Sequence, residues 1–160
     1  MAKTFVFFKP DAIDRKLKGN IIQMIEEEGF SILDETKVKV TRDLILTHYL
    51  EVIERLKSHD FIDAIEREFV GQEIECLELE DDHPDTVQRF RDLLGATNPA
   101  IASSNTIRGR YGADSYEEAT KENRVIRNLM HASGDEPSYT KERALWFNQE
   151  GILSAFDFDF

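Results

Sequence analysis

His131 has the setting in which a reactive imidazole would be held. It stands in Asn128-Leu129-Met130-His131-Ala132-Ser133, between an apolar segment (Val125, Ile126, Leu129, Met130) and a small-residue turn that opens a helix at Asp135-Glu136-Pro137. None of the other three histidines combines those two neighbours. An ordinary imidazole, with a pKa of about 6.5, is largely neutral near pH 7 and can serve as nucleophile, base or ligand. The same surroundings also describe a packed, hydrogen-bonded core histidine, so the rest of the chain must decide. Lys9 closes the run Thr4-Phe5-Val6-Phe7-Phe8 and is either a solvated strand end or a cation aimed at a ligand. Tyr49 could equally pack its ring in a core or turn its hydroxyl into a cleft. Cys76 is the sole cysteine, which excludes an internal disulfide and a thiolate zinc cluster and favours a structural thiol.

Composition limits the chemistry. The 160 residues suit one domain, residues 1–160, with a core that needs no disulfide staples. With 41% hydrophobic and 32% charged residues, the expectation is a soluble globular protein. No run reaches the roughly 18 apolar residues of a membrane helix, and Met1-Ala2-Lys3 leads straight into a strand-like segment, so the expected location is cytoplasmic with no membrane partner. A net charge of −12 argues against a stable nucleic-acid partner, which would need a cationic footprint. An anionic ligand would therefore meet a locally basic pocket in an acidic shell, with a divalent metal screening it.

The elements that must position these groups follow from periodicity and punctuation. Residues 4–8 predict a buried strand ending in the Lys9-Pro10-Asp11 turn. Leu17, Ile21, Ile22 and Ile25 predict a helix over residues 18–28 with Gly29 beyond its end, and residues 30–40 predict a second strand. Thr41-Arg42-Asp43 opens a helix carrying Leu44, Leu46, Tyr49 and Leu50, and another helix covers residues 61–69. Residues 72–80 alternate apolar and acidic types with one slip of phase, explained either by a bulge or by a second partly covered face.

Asp82-His83-Pro84 opens a helix through Val87, Phe90, Arg91 and Leu94 to Gly95, leaving His83 at the surface. Residues 96–124 are expected to be long and irregular, with an exposed insertion over residues 111–123. Val125-Ile126 is expected to begin a last core strand reaching Asn128 and His131. The final helix starts near Glu136, capped by Asp135 or Ser133, and runs past Glu142 to Trp146-Phe147. The ending, residues 155–160, alternates phenylalanine with acid after Ala155 and predicts an edge strand, a tail docking on a neighbour or a frayed terminus.

Four separated pieces stand in a telling order: Lys9-Pro10-Asp11, Gly95-Ala96-Thr97-Asn98-Pro99, Thr106-Ile107-Arg108-Gly109, and Asn128-x-x-His131-x-Ser133 with Glu142 and Trp146-Phe147 downstream. Together they closely resemble the nucleoside diphosphate kinases, over nearly the whole chain. The resemblance implies an α+β, ferredoxin-like fold: an antiparallel four-stranded sheet with helices packed on it, plus an extended loop and a C-terminal segment. It also implies reversible, ping-pong transfer of a γ-phosphoryl group from a nucleoside triphosphate to a nucleoside diphosphate through phosphorylated His131. By the same resemblance Glu142 orients His131 and Ser133 assists. Lys9, Tyr49, Arg91, Thr97 and Arg108 line the phosphate site, and Asn128 binds the ribose, a task Lys9 can share. Val125 and Phe61 clamp the base, although Phe61 has an equal claim as a core residue.

Apolar clamping implies tolerance among bases. Mg2+ would arrive on the nucleotide phosphates with no dedicated carboxylate cage. Family members are usually hexamers built from dimers, less often tetramers or dimers, and the loop around Pro99 commonly supports assembly, so a homo-oligomer is implied.

The chain departs from the family pattern at Ala12, Lys16 and Ala132, which replace glycines. Asn105 replaces another and is expected to preserve a left-handed turn, Arg110 replaces an acid, and residues 111–123 are longer than usual. Two rival readings are a binding or regulatory subunit without kinase activity and a ferredoxin-like nucleic-acid binder. The first fits poorly with so complete a set of catalytic types, the second with the acidic charge.

Overall fold

A computed structural model describes residues 2–154 and 156–160. Met1 and Ala155, which belonged to the expectations for the two chain ends, lie outside the described residues. The sheet is built from β1 (Ala2–Phe8), β2 (Ser31–Lys39), β3 (Glu73–Asp81) and β4 (Met130–Ala132) in the antiparallel order β2-β3-β1-β4. This is the expected ferredoxin-like α+β arrangement. The central strand β1 is β-branched and aromatic, and its residues 4 to 8 are all buried because both faces of the sheet are covered.

Phe5 and Phe7 point to one face, with Ile74 and Cys76 beside them and Trp146 packed above. Val6 and Phe8 point to the other, with Leu77 and Leu79. The slip of phase in residues 72–80 is thus the second covered face, since β3 keeps straight antiparallel register against β1. The bulge lies instead in the partner strand β2, where the register shifts between Ile32 and Asp34.

Helices α2 (Lys18–Glu27) and α6 (Thr86–Leu94) place Ile21, Ile25, Phe90 and Leu94 on the second face. On the first face lie α3 (Arg42–His48), α4 (Leu50–Leu56), α5 (His59–Phe69) and α9 (Glu136–Asn148). The single helix expected from Thr41 is broken at Tyr49 into α3 and α4, so Tyr49 sits at a joint and not on a helix face. Capping by Thr41, whose hydroxyl accepts from Leu44 N at 3.3 Å, starts α3, and Ser58 starts α5 two residues earlier than expected. The Lys9-Pro10-Asp11 turn continues as the short helix α1 (Pro10–Asp14), and α6 begins at Thr86, later than the Asp82-His83-Pro84 signal suggested.

Residues 96–124 are more ordered than expected. They hold a 3-10 turn (Pro99–Ile101), α7 (Ile107–Tyr111) and α8 (Tyr116–Lys121). Lys16, expected to replace a glycine of the family pattern, adopts a left-handed φ of +58, whereas the left-handed turn expected at Asn105 is absent. Ala132 causes no strain, being an ordinary β4 residue paired with Val6. The C-terminal phenylalanines form no strand. Phe156 and Phe158 instead pack on the chain's own core, and the rings of Phe156, Phe158 and Phe160 stack at 5.5 and 5.4 Å.

Candidate active site

The last strand is far shorter than the sequence suggested, and that shortness makes the site. Residues 125–128 do not pair with the sheet; β4 starts only at Met130. Backbone groups from Arg127 to Met130 are claimed elsewhere, beginning with Arg127 N, which donates to Asp114 Oδ2 at 2.8 Å. Lys9 N donates to Leu129 O at 2.9 Å, and Leu129 N donates to Asp11 Oδ2 at 3.1 Å. The Arg108 guanidinium donates to Asn128 O (3.1 Å), Met130 O (2.8 Å) and Gly95 O (3.2 Å). Leu129 is held at φ +77, a left-handed conformation uncommon for a branched side chain, and its buried side chain sits in the core. The bend so fixed turns Asn128 and His131 toward one cavity.

His131 is held from three sides. Its ring stacks on Phe7 at 5.0 Å, and its Nε2 engages Glu142 Oε1 at 2.8 Å. Ser133 Oγ donates to that same Oε1 at 2.7 Å. Glu142 reaches across because α9 is capped by Asp135, whose Oδ1 accepts from Ser138 N at 2.8 Å, which settles the choice between Asp135 and Ser133. The helix is pinned to the sheet where Glu78 accepts from Tyr139 (2.6 Å) and Arg143 (2.8 Å). Burial on its own would raise the Glu142 pKa, but the charge and hydrogen bond of His131 prevail and bring it to about 2. Glu142 is therefore an anion at any working pH, and with Nε2 occupied, Nδ1 is the His131 nitrogen left with a free lone pair.

On the open side lies a cavity of about 890 Å³. Lys9, Tyr49, Arg91, Thr97, Arg108 and Asn128 line it together with His131, and Phe61 and Val125 line it further out. Ser133 and Glu142 stand behind His131 and do not reach it. Lys9 Nζ donates to Asn128 Oδ1 at 2.7 Å, and Asn128 Nδ2 donates to Thr97 O at 2.9 Å, so lysine and asparagine position one another. Burial and the neighbouring Arg108 bring the Lys9 pKa down to about 8, against the opposing pull of Asp11 and Glu68. Burial and Arg91 lower Arg108 to about 10, leaving it cationic at neutral pH. Burial pushes the Tyr49 phenol well above its ordinary range, so it stays a neutral donor.

Sequence reasoning missed several participants. Arg55 on α4 and Arg124 also line the cavity, at positions that no local motif marks, which brings its cations to five. His48 lies edge-on to His131 at 4.4 Å, and Trp146 Nε1 donates to its Nδ1 at 3.0 Å. Burial and the charge of His131 bring His48 down to about 3, so it is neutral with its proton on Nε2. The insertion is mostly exposed, as expected, and α8 in addition contributes part of the cavity wall through Tyr116, Ala119 and Thr120.

Among the described residues, one cluster has metal-ligand composition: His48, His131 and Glu142. Its nitrogen-rich donors suit Mg2+ poorly, and His48 Nδ1 is already engaged by Trp146 and His131 Nε2 by Glu142. The cavity itself is dominated by cations. This donor set agrees with a metal that arrives bound to phosphate oxygens and not with a protein-held ion.

An imidazole with a free nitrogen beside a cavity lined by five cations fits phosphoryl transfer, and comparison with known proteins agrees. The family model described as nucleoside diphosphate kinase matches residues 2–152. A nucleoside diphosphate kinase of Macrococcus caseolyticus is 35% identical over 154 residues, covering 96% of this chain and 93% of that protein. One from Carboxydothermus hydrogenoformans is 32% identical over the same length. Among solved structures, the Borrelia burgdorferi nucleoside-diphosphate kinase, a transition-state mimic with bound vanadate and ADP, superposes with a TM-score of 0.84 at 26% identity, over 98% of this chain and 92% of that one. The Encephalitozoon cuniculi enzyme gives 0.75 at 31% identity, over 99% and 97%. Fold, motif order and site geometry thus converge, and the chain belongs to the nucleoside diphosphate kinase family, the phosphotransferases that exchange γ-phosphoryl groups between nucleotides by a ping-pong mechanism.

Proposed function

We propose that His131 is the nucleophile of that exchange, and that the single observation carrying this role is the Glu142–His131 contact that leaves Nδ1 free toward the cavity. The Nδ1 lone pair attacks the γ-phosphorus of a nucleoside triphosphate, and the bond from that phosphorus to the β–γ bridging oxygen breaks. The nucleoside diphosphate departs with the bonding pair. The imidazole, now phosphorylated on Nδ1, carries positive charge that Glu142 stabilises. A terminal oxygen of an incoming nucleoside diphosphate then attacks the phosphorus and restores the free histidine.

Lys9, Arg91 and Arg108 neutralise the equatorial and leaving oxygens, Arg55 extends this cationic lining, and Tyr49 and Thr97 donate neutral hydrogen bonds. Asn128, already bonded to Lys9, hydrogen-bonds the ribose, and Phe61 with Val125 clamps the base. Mg2+ carried by the nucleotide supplies charge neutralisation of the phosphates. Most of the acidic residues lie on the solvated surface, Glu78 and Asp81 being buried exceptions.

The chain acts as one catalytic domain over residues 1–160, in the cytoplasm, with nucleoside tri- and diphosphates as its partners. No helix among the described residues is long and apolar enough to cross a membrane. It assembles as a homo-oligomer, a hexamer first and a tetramer or dimer otherwise. Support comes from β2, which ends the sheet, and from Ile101, 76% exposed beside Pro99; sedimentation measures the state. Incubation with a γ-labelled nucleoside triphosphate should give an acid-labile, base-stable phosphoprotein. Label that persists in His131→Ala, or that survives acid, would overturn the assignment.

A further inference from the structure

Helix α9 carries Glu142, yet among the described residues none from α9 lines the nucleotide cavity. A group that sets the position of this helix therefore acts on His131 through Glu142 and leaves the nucleotide contacts as they are. Successive helical residues point about 100° apart, so Glu142 and Arg143 leave α9 on opposite margins of its sheet-facing side, with Tyr139 and Trp146 between them. Glu142 reaches His131 on β4, and Arg143 reaches Glu78 on β3.

The hold on β3 is a single buried carboxylate. Glu78 is 5% exposed and stands opposite Phe5 of β1, on the sheet face that α9 covers. Its Oε2 accepts from Tyr139 Oη at 2.6 Å and from Arg143 Nε at 2.8 Å. Asp34 of β2 pairs with Glu78 just past the bulge, and its Oδ2 lies 3.6 Å from Arg143 Nη2. Two acids on neighbouring strands thus share one guanidinium, which also lies over the Phe147 ring at 5.0 Å. Besides Glu142, Tyr139 and Arg143 are the α9 side chains that hydrogen-bond to the sheet among the described residues. The packing of Leu145 and Trp146 presses the helix onto the sheet without direction, whereas two hydrogen bonds to one fixed oxygen also set its rotation.

We propose that Glu78 is a positioning residue for phosphoryl transfer: with Tyr139 and Arg143 it fixes the rotation of α9 so that Glu142 Oε1 meets His131 Nε2 and Ser133 Oγ together. This role rests on the proposed function, in which His131 is the nucleophile. A rotation of about 10° moves a side-chain tip lying roughly 6 Å from the helix axis by about 1 Å. That displacement takes the 2.8 Å contact between Glu142 and His131 out of hydrogen-bonding range. His131 Nε2 then loses its acceptor, and the ring proton is free to occupy Nδ1, the tautomer in which that nitrogen has no lone pair for attack.

The test compares the native protein with Glu78→Gln, which keeps the shape and an acceptor but removes the charge, and with Tyr139→Phe, which removes one bond. For Glu78→Gln, kcat should fall about three- to tenfold while KM for donor and acceptor nucleotides stays within about twofold. Tyr139→Phe should give a smaller loss of the same kind, and it decides the matter by the same measurements where Glu78→Gln fails to fold. In a Glu142→Gln background, Glu78→Gln should lower kcat by less than about 1.5-fold further, because the route to His131 is already cut. A merely structural role would multiply the two losses. Nitrogen NMR of the His131 ring, which needs no nucleotide, should show the proton on Nε2 in the native protein and a growing Nδ1-protonated fraction in both variants. Multiplied losses, a KM rise that matches the kcat loss, or an unchanged His131 tautomer overturns the proposal. Absence of all transfer by the native protein would sink the kinase assignment, and the tautomer comparison would still decide the positioning role.

Discussion

The two ends of the one cavity are built on opposite plans. At the phosphate end the polar groups are tied down before any ligand enters: Lys9 to Asn128, Asn128 to Thr97, Arg108 to three backbone carbonyls, and His131 to Glu142. At the end we assign to the base, Val52, Phe61, Ala64, Ile65, Val125 and Ile126 make a largely apolar wall, interrupted by polar side chains such as Asp60 and Thr120. Charge developing in a transition state is best met by dipoles that need not reorganise, whereas a flat ring can be held by shape alone. The difference teaches which end sets rate and which sets affinity, and substitutions should respect that division.

The largest effect after loss of the nucleophile is expected at Arg108. Arg108→Lys keeps a charge but cannot serve three carbonyls and a phosphate together, so kcat should fall roughly 10²- to 10³-fold and the melting temperature should drop. Steady-state kinetics with calorimetric melting checks both; an unchanged melting temperature would show that the backbone contacts are dispensable. Glu142→Gln removes the negative charge but keeps an acceptor for Nε2, and kcat should fall about 10- to 100-fold with little change in KM. Single-turnover phosphorylation of His131 measures this directly.

A smaller effect, at the same end, is pH-dependent. The Lys9 pKa of about 8 lies below the ordinary 10.5, so the ammonium is present below pH 8 and is lost as pH rises through it. Its attraction for phosphate follows the same course, and kcat/KM should decline up to about tenfold between pH 7 and 9. Stability moves the other way. The unfolded chain holds the lysine proton up to about 10.5, so the folded state gains between pH 8 and 10.5 as far as this group is concerned. Lys9→Met should flatten the activity profile over that range. At the base end, Phe61→Leu should raise KM severalfold for every nucleotide while kcat stays within about twofold, by loss of ring contact. A kcat loss matching that of Arg108→Lys would erase the distinction between the ends.

Much of this was legible in residue order. The alternation of residues 4–8, the caps at Thr41 and Asp135, and the spacing of Asn128, His131 and Ser133 are local features, and local features carry their own physical cause. The cationic set of Lys9, Arg91 and Arg108 was legible because each lies in or next to a short motif.

What the chain could not show without folding depends on contacts between remote segments. Residues 125–128 have strand-like composition, yet Asp114 takes Arg127 N, Arg108 takes Asn128 O and the Lys9–Asp11 turn takes the backbone of Leu129, so the strand is cut to three residues and the bend presents His131. His48 became relevant only when α9 set Trp146 against it, and Arg55 only when α4 turned back over the cavity. The insertion is mostly exposed, as its polarity suggested, but hydropathy could not register the Asp114–Arg124 pair that sets α8 along the cavity wall. Sequence alone thus determined which groups are candidates for the chemistry, because reactivity resides in residue type and short spacing. Tertiary structure decided how the histidine is presented and what walls the base, because hydrogen bonds and packing between distant segments fix both.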